Sequence, residues 1–332
     1  MSEETKTPLI SVITLTYRNF DNIYDTINSV MSQNYGNFEY IISDDGSDNF
    51  PMQEISSFVD SKKNPGIKEL KIIDNKKNVG TVKHINNVLK VCKGEYFVFL
   101  TGNDLFVNNT MLSQIVSVLI KEQCDVLICG RIVYKNDTLT EIIPHVKDWK
   151  RIRTLNTKEK MYSALMRTEH YGMFLGANTI YKRSAIEEIG FFDEKYVLLE
   201  DIPMLATMIW NNKVVLKPEL IAIIYEGSTG VSAKQSKNSL LGKDIQNFNQ
   251  FGKLEHFDKL DRKTKKHILF GVKRAEAKSK IGFILVCLRY SPRIISYTLY
   301  NICRKVCGIG EKKYIRSMID SINLLEGKLK LK

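Results

Sequence analysis

A succession of short apolar runs, each stopping at a polar cluster, sets the limits on what this chain can become. Residues 9–17 (Leu-Ile-Ser-Val-Ile-Thr-Leu-Thr-Tyr) are rich in β-branched side chains and read as a buried strand. Asn19 or Asp21 is placed to cap a helix whose apolar positions Ile23, Ile27, Val30 and Met31 follow helical spacing. A second strand over 38–43 ends in Asp44-Asp45-Gly46-Ser47-Asp48. A helix near 51–61, a strand at 70–73 and a helix over about 80–92 follow. The apolar run 96–100 then stops at Thr101-Gly102-Asn103-Asp104, with another helix starting near 108–110. Such β-α-β-α-β alternation implies a mostly parallel sheet with helices on both faces. Ligands of these sheets bind outside the carboxyl ends of the strands. The clusters at 16–19, 44–48 and 101–104 all fall at such ends, so one crevice collects them.

Beyond residue 125 the pattern is less regular. It suggests a strand at 125–134, a polar stretch to about 157, a helix near 158–168 and a strand at 176–181. A helix at 184–189 leads into the turn 190–194 (Gly-Phe-Phe-Asp-Glu). Leu198-Leu199-Glu200-Asp201 opens a helix to about Trp210, and a strand at 213–224 runs into the glycine-rich 227–232. From 240 onward the chain is helical and basic. At about 100–200 residues per domain, 332 residues suggest about two units. The expected division is 1–235, with halves 1–107 and 108–235, and a helical region 236–332. The charge supports it, since residues 253–332 hold 20 Lys/Arg against 7 Asp/Glu while the rest is near neutral.

Several chemistries are excluded by what is missing. No GxGxxG follows the first strand, and GxxxxGK[ST], HExxH and the Gly-x-Ser-x-Gly elbow do not occur. The six cysteines form no CxxC pair, which argues against a disulfide scaffold or structural zinc and suits a reducing cytoplasm. Residues 1–7 are polar, so no secretory leader is expected.

The motifs that remain do resemble a family. Residues 11–17, Asp44-Asp45-Gly46-Ser47, Asn78-Val79-Gly80, residues 97–104, 190–194 and Glu200-Asp201 are similar, in order and spacing, to the inverting family 2 glycosyltransferases of bacterial polysaccharide biosynthesis, which have the GT-A fold. The resemblance covers about 8–232. It implies that Thr16, Tyr17 and Asn19 border the nucleotide, and that Asp44 accepts a hydrogen bond from a uracil N–H. Lys83 would reach the nucleotide or its phosphates, and Thr101 and Gly102 would lie near the ribose. The family's Asp-x-Asp motif holds Mg²⁺ or Mn²⁺ against the donor diphosphate. Here that motif reads Thr101-Gly102-Asn103-Asp104, so the metal would fall to Asn103 and Asp104, with one charged ligand fewer. Of the acidic pair, Asp201 is expected as the base that takes the acceptor hydroxyl's proton, and Glu200 as its orienting neighbour. Gly176, the 190–194 turn and 227–232 match segments on the acceptor side, the last as a lid or a simple turn.

The C-terminal quarter bears on location. Its apolar run 281–288 has eight residues and is followed by Arg289, whereas about 20 are needed to span a bilayer. Apolar residues interleaved with cations suit helices lying on an anionic membrane surface. Nucleic-acid binding would fit the charge but finds no recognition motif. The expectation is a cytoplasmic enzyme, peripheral on the inner face of the cell membrane. It would move a sugar from a nucleoside-diphosphate donor, UDP- or dTDP-linked, to a lipid-linked saccharide or growing glycan. A capsule or O-antigen type polysaccharide would be its product. The alternative left open by the altered metal motif is an impaired protein that binds nucleotide sugar, or a partner synthase, without turnover.

Overall fold

The computed structural model describes residues 7–20, 22–135, 138–167, 172–226, 239–277, 279, 281–282, 284–289 and 330–331. The first half is an alternation of β1 (Ile10–Thr16), α1 (Ile23–Met31), β2 (Phe38–Asp44), α2 (Met52–Lys62), β3 (Ile67–Asp74), α3 (Thr81–Leu89) and β4 (Tyr96–Thr101). These strands are mutually parallel in the order β3-β2-β1-β4, so β1 has a partner on each side. Thr16, Asp44 and Thr101 therefore finish at the same edge: Thr16 lies opposite Asp44, and Leu15 opposite Thr101.

Period-two alternation places each strand between two cores. In β4, Tyr96, Val98 and Leu100 join the cluster that holds Ile23, Ile27, Val30 and Ile55 of α1 and α2. Phe97 and Phe99 join the opposite cluster with Val82, Ile85 and Val88 of α3. A strand buried on both faces must be apolar throughout, which is why the run 96–100 carries no charge.

The second half is mixed. β5 (Leu105–Phe106), α4 (Met111–Glu122), β6 (Val126–Lys135), β7 (Thr138–Ile143), α5 (Trp149–Ile152), α6 (Lys158–Met166), β8 (Thr179–Lys182) and α7 (Arg183–Glu188) follow in order. Then come α8 (Asp201–Asn211), β9 (Val214–Glu226), α9 (Leu240–Gln250) and α10 (Arg262–Glu276). β8 is antiparallel to both β4 and β6, and so joins the parallel half to the rest. β6 also pairs with β7, antiparallel, and with β9, parallel.

Several elements differ from expectation. The stretch after β6 contains β7, and β5 pairs with β9; neither shows a long apolar run of its own. Asn22 rather than Asn19 stands at the N-terminus of α1, without a side-chain cap, and Asp21 lies outside the described residues. The helix expected from Leu198 begins at Asp201, because an Asp244 oxygen takes the amides of Val197, Leu198 and Leu199. The 227–232 segment lies outside the described residues.

The helices past residue 236 share the main core. Leu241, Phe248, Leu260 and Ile268 are buried in the cluster that contains Tyr162, Leu165, Tyr196 and Met208. Further on, Ile281, Ile284, Leu285 and Leu288 are 73%, 53%, 61% and 65% exposed. Among the described residues no helix is long and apolar enough to cross a membrane.

Candidate active site

The carboxyl edge of the parallel half is built from three turns that bond to one another. After β1, Arg18 takes a positive φ of 50°, and its amide donates to Ser47 Oγ at 2.8 Å. Its guanidinium pairs with Asp48 at 2.8 Å and lies 5.1 Å from the centre of the exposed Tyr17 ring. Thr16 Oγ1 donates to the Asn19 carbonyl at 3.1 Å. The edge thus presents Tyr17 to solvent over a fixed backbone.

Asp44 is wholly buried. Its two oxygens accept from the Ser47 amide and hydroxyl at 2.6 and 2.8 Å, closing an Asx turn. Burial raises its pKa, and the Ser47 hydrogen bonds act against that rise. Asp45 reaches the other way. It accepts from Asn78 Nδ2 at 2.9 Å and from the amides of Val79 and Gly80 at 3.1 Å each, while its own amide donates to the Thr16 carbonyl at 2.9 Å. Asp45 therefore fixes the start of α3 against β1. Lys83 stands exposed on the first turn of that helix.

The third turn follows β4. The Gly102 amide donates to the Leu15 carbonyl at 3.1 Å, and a Cβ at Gly102 would lie 2.9 Å from the Asn19 carbonyl oxygen. Thr101 is exposed, but Asn103 and Asp104 are buried. Asp104 Oδ2 accepts from the Thr101 amide at 3.2 Å, and Tyr134 donates its hydroxyl to the Asn103 carbonyl at 3.0 Å. Among the described residues no group of three or more His, Cys, Asp or Glu side chains is placed to hold a metal ion. One carboxylate and one amide oxygen fit a hard cation only when the remaining ligands come from a diphosphate and water. The turn suits a shared metal site, not an all-protein cage.

Facing this edge is the acidic pair. Val98 of β4 lies opposite Ile180 of β8, and that antiparallel register carries the preceding residues, through Asn178 to Gly176, toward the level of the 101–104 turn. A Cβ on Gly176 would lie 3.4 Å from Glu200 Oε1 and 3.5 Å from Asp201 Cβ, ordinary contact distances that place the pair against this segment. Asn178, fully buried, secures it with bonds to the carbonyls of Cys129 and Met173. The same acidic pair stands at the start of α8.

The two carboxyls differ in electrostatics. Burial, then the neighbouring charge of Asp201, pushes Glu200 up to about 8. Asp201 is also raised by burial, but amides of Ile202 (2.7 Å) and Gly176 and the charge of Arg131 stabilise its anion. Asp201 thus has more partners that favour its anion than Glu200 has. The raised Glu200 value also makes a stability statement. Its charged form is disfavoured in the folded state, so the penalty is absent below the unfolded carboxyl pKa and grows as pH rises toward 8. Glu200→Gln should then stabilise the fold by about 1–2 kcal/mol at pH 9 and leave it unchanged at pH 4. Thermal denaturation of both proteins across that range checks it; equal midpoints at pH 9 would contradict it.

Three contributors were not legible as site residues. Arg131 has a signal, a cation inside the apolar run of β6, where it is buried and acts on Asp201. Asp45 reads as one more turn acid, and Asp244 reads as the solvated face of a helix.

A parallel sheet half with three turns at one edge, opposed by a carboxylate pair carried on a mixed half, defines a GT-A type glycosyltransferase fold. The pattern of Glycosyl transferase family 2 matches residues 11–190, and the chain belongs to that family. The Escherichia coli protein named UDP-Glc:alpha-D-GlcNAc-diphosphoundecaprenol beta-1,3-glucosyltransferase WfaP is 35% identical over 107 residues, 32% of this chain and 40% of that one. Among solved structures, S. aureus TarS 1-349 in complex with UDP-GlcNAc is similar with a TM-score of 0.52 and 16% identity, over 80% of this chain and 81% of that one. Mannosyltransferase PcManGT from Pyrobaculum calidifontis, in complex with GDP-Man and Mn2+, gives 0.53 and 15% identity over 95% and 85%. At such identities the structures establish the fold alone. The chain spans 34–58% of the length of the first curated relatives it matches.

Proposed function

We propose that this protein is an inverting glycosyltransferase. It moves a sugar from a nucleoside-diphosphate donor, UDP-linked, to a lipid-linked saccharide or growing glycan of a bacterial surface polysaccharide. The observation that carries the reading is the Glu200–Asp201 pair against Gly176, opposite an edge built from the Thr16, Asp44 and Thr101 turns. The UDP-glucose and the diphosphoundecaprenol in the name of WfaP support the donor and acceptor classes.

Asn103 and Asp104 would take part in holding Mn²⁺ or Mg²⁺, which supplies charge neutralisation on the departing diphosphate. The residues of the chain do the rest. Tyr17 and the 16–19 backbone receive the nucleotide, and Asp44 shapes the turn beneath it. Asp201 takes the proton of the acceptor hydroxyl as that oxygen attacks the anomeric carbon. A screen of UDP-, dTDP- and GDP-sugars by thermal shift, with and without Mn²⁺, tests the donor class. Stabilisation by UDP-sugars supports it, and a response to GDP-sugars alone contradicts it. The single carboxylate of the 101–104 turn favours a second reading, a nucleotide-sugar binder without turnover. Release of UDP separates the two.

The exposed residues Ile281, Ile284, Leu285 and Leu288 follow the i, i+3, i+4, i+7 spacing of one helical face, within a region of net positive charge. That combination suits the anionic inner face of the cell membrane. Deleting 253–332 would also strip Leu260 and Ile268 from the core, so substitution is the cleaner test. Ile284→Asp with Leu288→Asp should abolish binding to phosphatidylglycerol vesicles at low salt while nucleotide binding persists. Equal vesicle binding by the double variant would end the membrane role.

A further inference from the structure

Asp244 lies on α9, outside the family-matched residues, and is 7% exposed. Its Oδ2 accepts three consecutive backbone amides, Val197 at 2.9 Å, Leu198 at 2.7 Å and Leu199 at 3.1 Å. The next two residues are Glu200 and Asp201. Positions 241, 244 and 248 share one helical face, and Leu241 and Phe248 already anchor it in the core. Packing alone would be served by a third apolar residue there, since an enclosed carboxylate is costly unless its hydrogen bonds repay desolvation. Three charge-assisted bonds to one short loop do so, and they hold that loop in a single conformation.

The loop is gripped from its other side by the donor edge. The Val82 amide donates to the Val197 carbonyl at 3.1 Å, and a Cβ on Gly80 would lie 2.7 Å from Val197 Cγ1. Gly80 is itself bonded to Asp45, whose amide binds Thr16. A continuous series of hydrogen bonds thus runs from the end of β1, through Asp45 and the start of α3, to the loop and Asp244.

We propose that Asp244 is a positioning residue: by holding the amides of residues 197–199 it places Glu200 and Asp201 against the donor edge. The C-terminal helices are then part of the machinery for transfer. The inference rests on the reading of Glu200 and Asp201 as the pair that carries the base. It predicts a selective loss, because a displacement of about 1 Å in a reacting group costs on the order of 10²-fold in rate without changing donor affinity.

The test uses the full chain with Asp244→Leu and Asp244→Asn. It measures UDP affinity, UDP release from UDP-glucose and UDP-N-acetylglucosamine with Mn²⁺, and hydrogen exchange at the three loop amides. Leucine fills the core-facing position without an acceptor. It should speed exchange at residues 197–199 and slow UDP release about 10–100-fold, with UDP affinity within about 3-fold of wild type. Asparagine keeps a carbonyl oxygen for the amides and should restore most of the rate. A wild-type rate in Asp244→Leu, or a loss in Asp244→Asn as large as in Asp244→Leu, overturns the proposal. Should Asp244→Leu not fold, the asparagine variant carries the test: protected loop amides with a rate near wild type support the proposal, and protected amides with a collapsed rate overturn it. Wild-type rates in both Asp201→Asn and Glu200→Gln would overturn the reading of the pair, a result distinguishable from failure of the clamp alone.

Discussion

Asp201→Asn should lower glycosyl transfer by about 10²–10⁴-fold and leave nucleotide affinity nearly unchanged. The metal and the positioning of the donor assist departure of the diphosphate, but the acceptor hydroxyl stays a poor nucleophile until its proton leaves. Asparagine preserves the shape of the side chain and removes its basicity. The Arg131 charge that favours the Asp201 anion loses its partner in the variant, while the asparagine oxygen still accepts from the Ile202 amide, without any change at Thr16 or Asp44. Glu200→Gln should cost less. Single-turnover transfer measured beside nucleotide affinity checks both variants. A normal rate in Asp201→Asn contradicts the assignment, and a selective collapse in Glu200→Gln moves the base one residue back.

Asp104→Ala should abolish turnover, with a loss of about 10²–10³-fold or more. The side chain has two tasks. It is the one carboxylate of the 101–104 turn, and its Oδ2 receives the Thr101 amide at 3.2 Å. Alanine removes the charged candidate ligand and leaves a backbone donor without its acceptor, at a further stability cost of about 1–3 kcal/mol. A Mn²⁺ titration distinguishes the tasks: a metal role raises the concentration needed for donor binding, while a purely structural role lowers the unfolding temperature alone. Asn103→Asp should act in the opposite direction and reduce the Mn²⁺ requirement, because it adds a charged ligand. Full activity in Asp104→Ala would remove the metal from this turn.

How far residues alone reveal this protein depends on whether the relevant interaction is local. The parallel half is legible because strands buried on both faces demand unbroken apolar runs, as in 96–100, and because each run halts where the backbone leaves the sheet. The positions of Thr16, Asp44 and Thr101 along one edge follow directly from that alternation. β7 was hidden because its pairing partner, not its own pattern, makes it a strand. The start of α8 was misplaced by three residues for a tertiary reason, the capture of amides 197–199 by a carboxylate from α9. Asp45 and Asp244 escape a reading of residues because a carboxylate that binds distant backbone amides looks, in sequence, like any exposed acid. The acidic pair itself is legible by motif. The partners that favour the Asp201 anion are not, since Arg131 and the Gly176 amide come from distant parts of the chain.

The most direct test of the account is the release of UDP by the wild-type protein from UDP-sugars, in Mn²⁺, with a bacterial membrane lipid extract as acceptor. The account predicts UDP release with matching transfer of labelled sugar into the lipid fraction, and loss of both in Asp201→Asn. Binding of UDP-sugars with no UDP release under any of these conditions would contradict it.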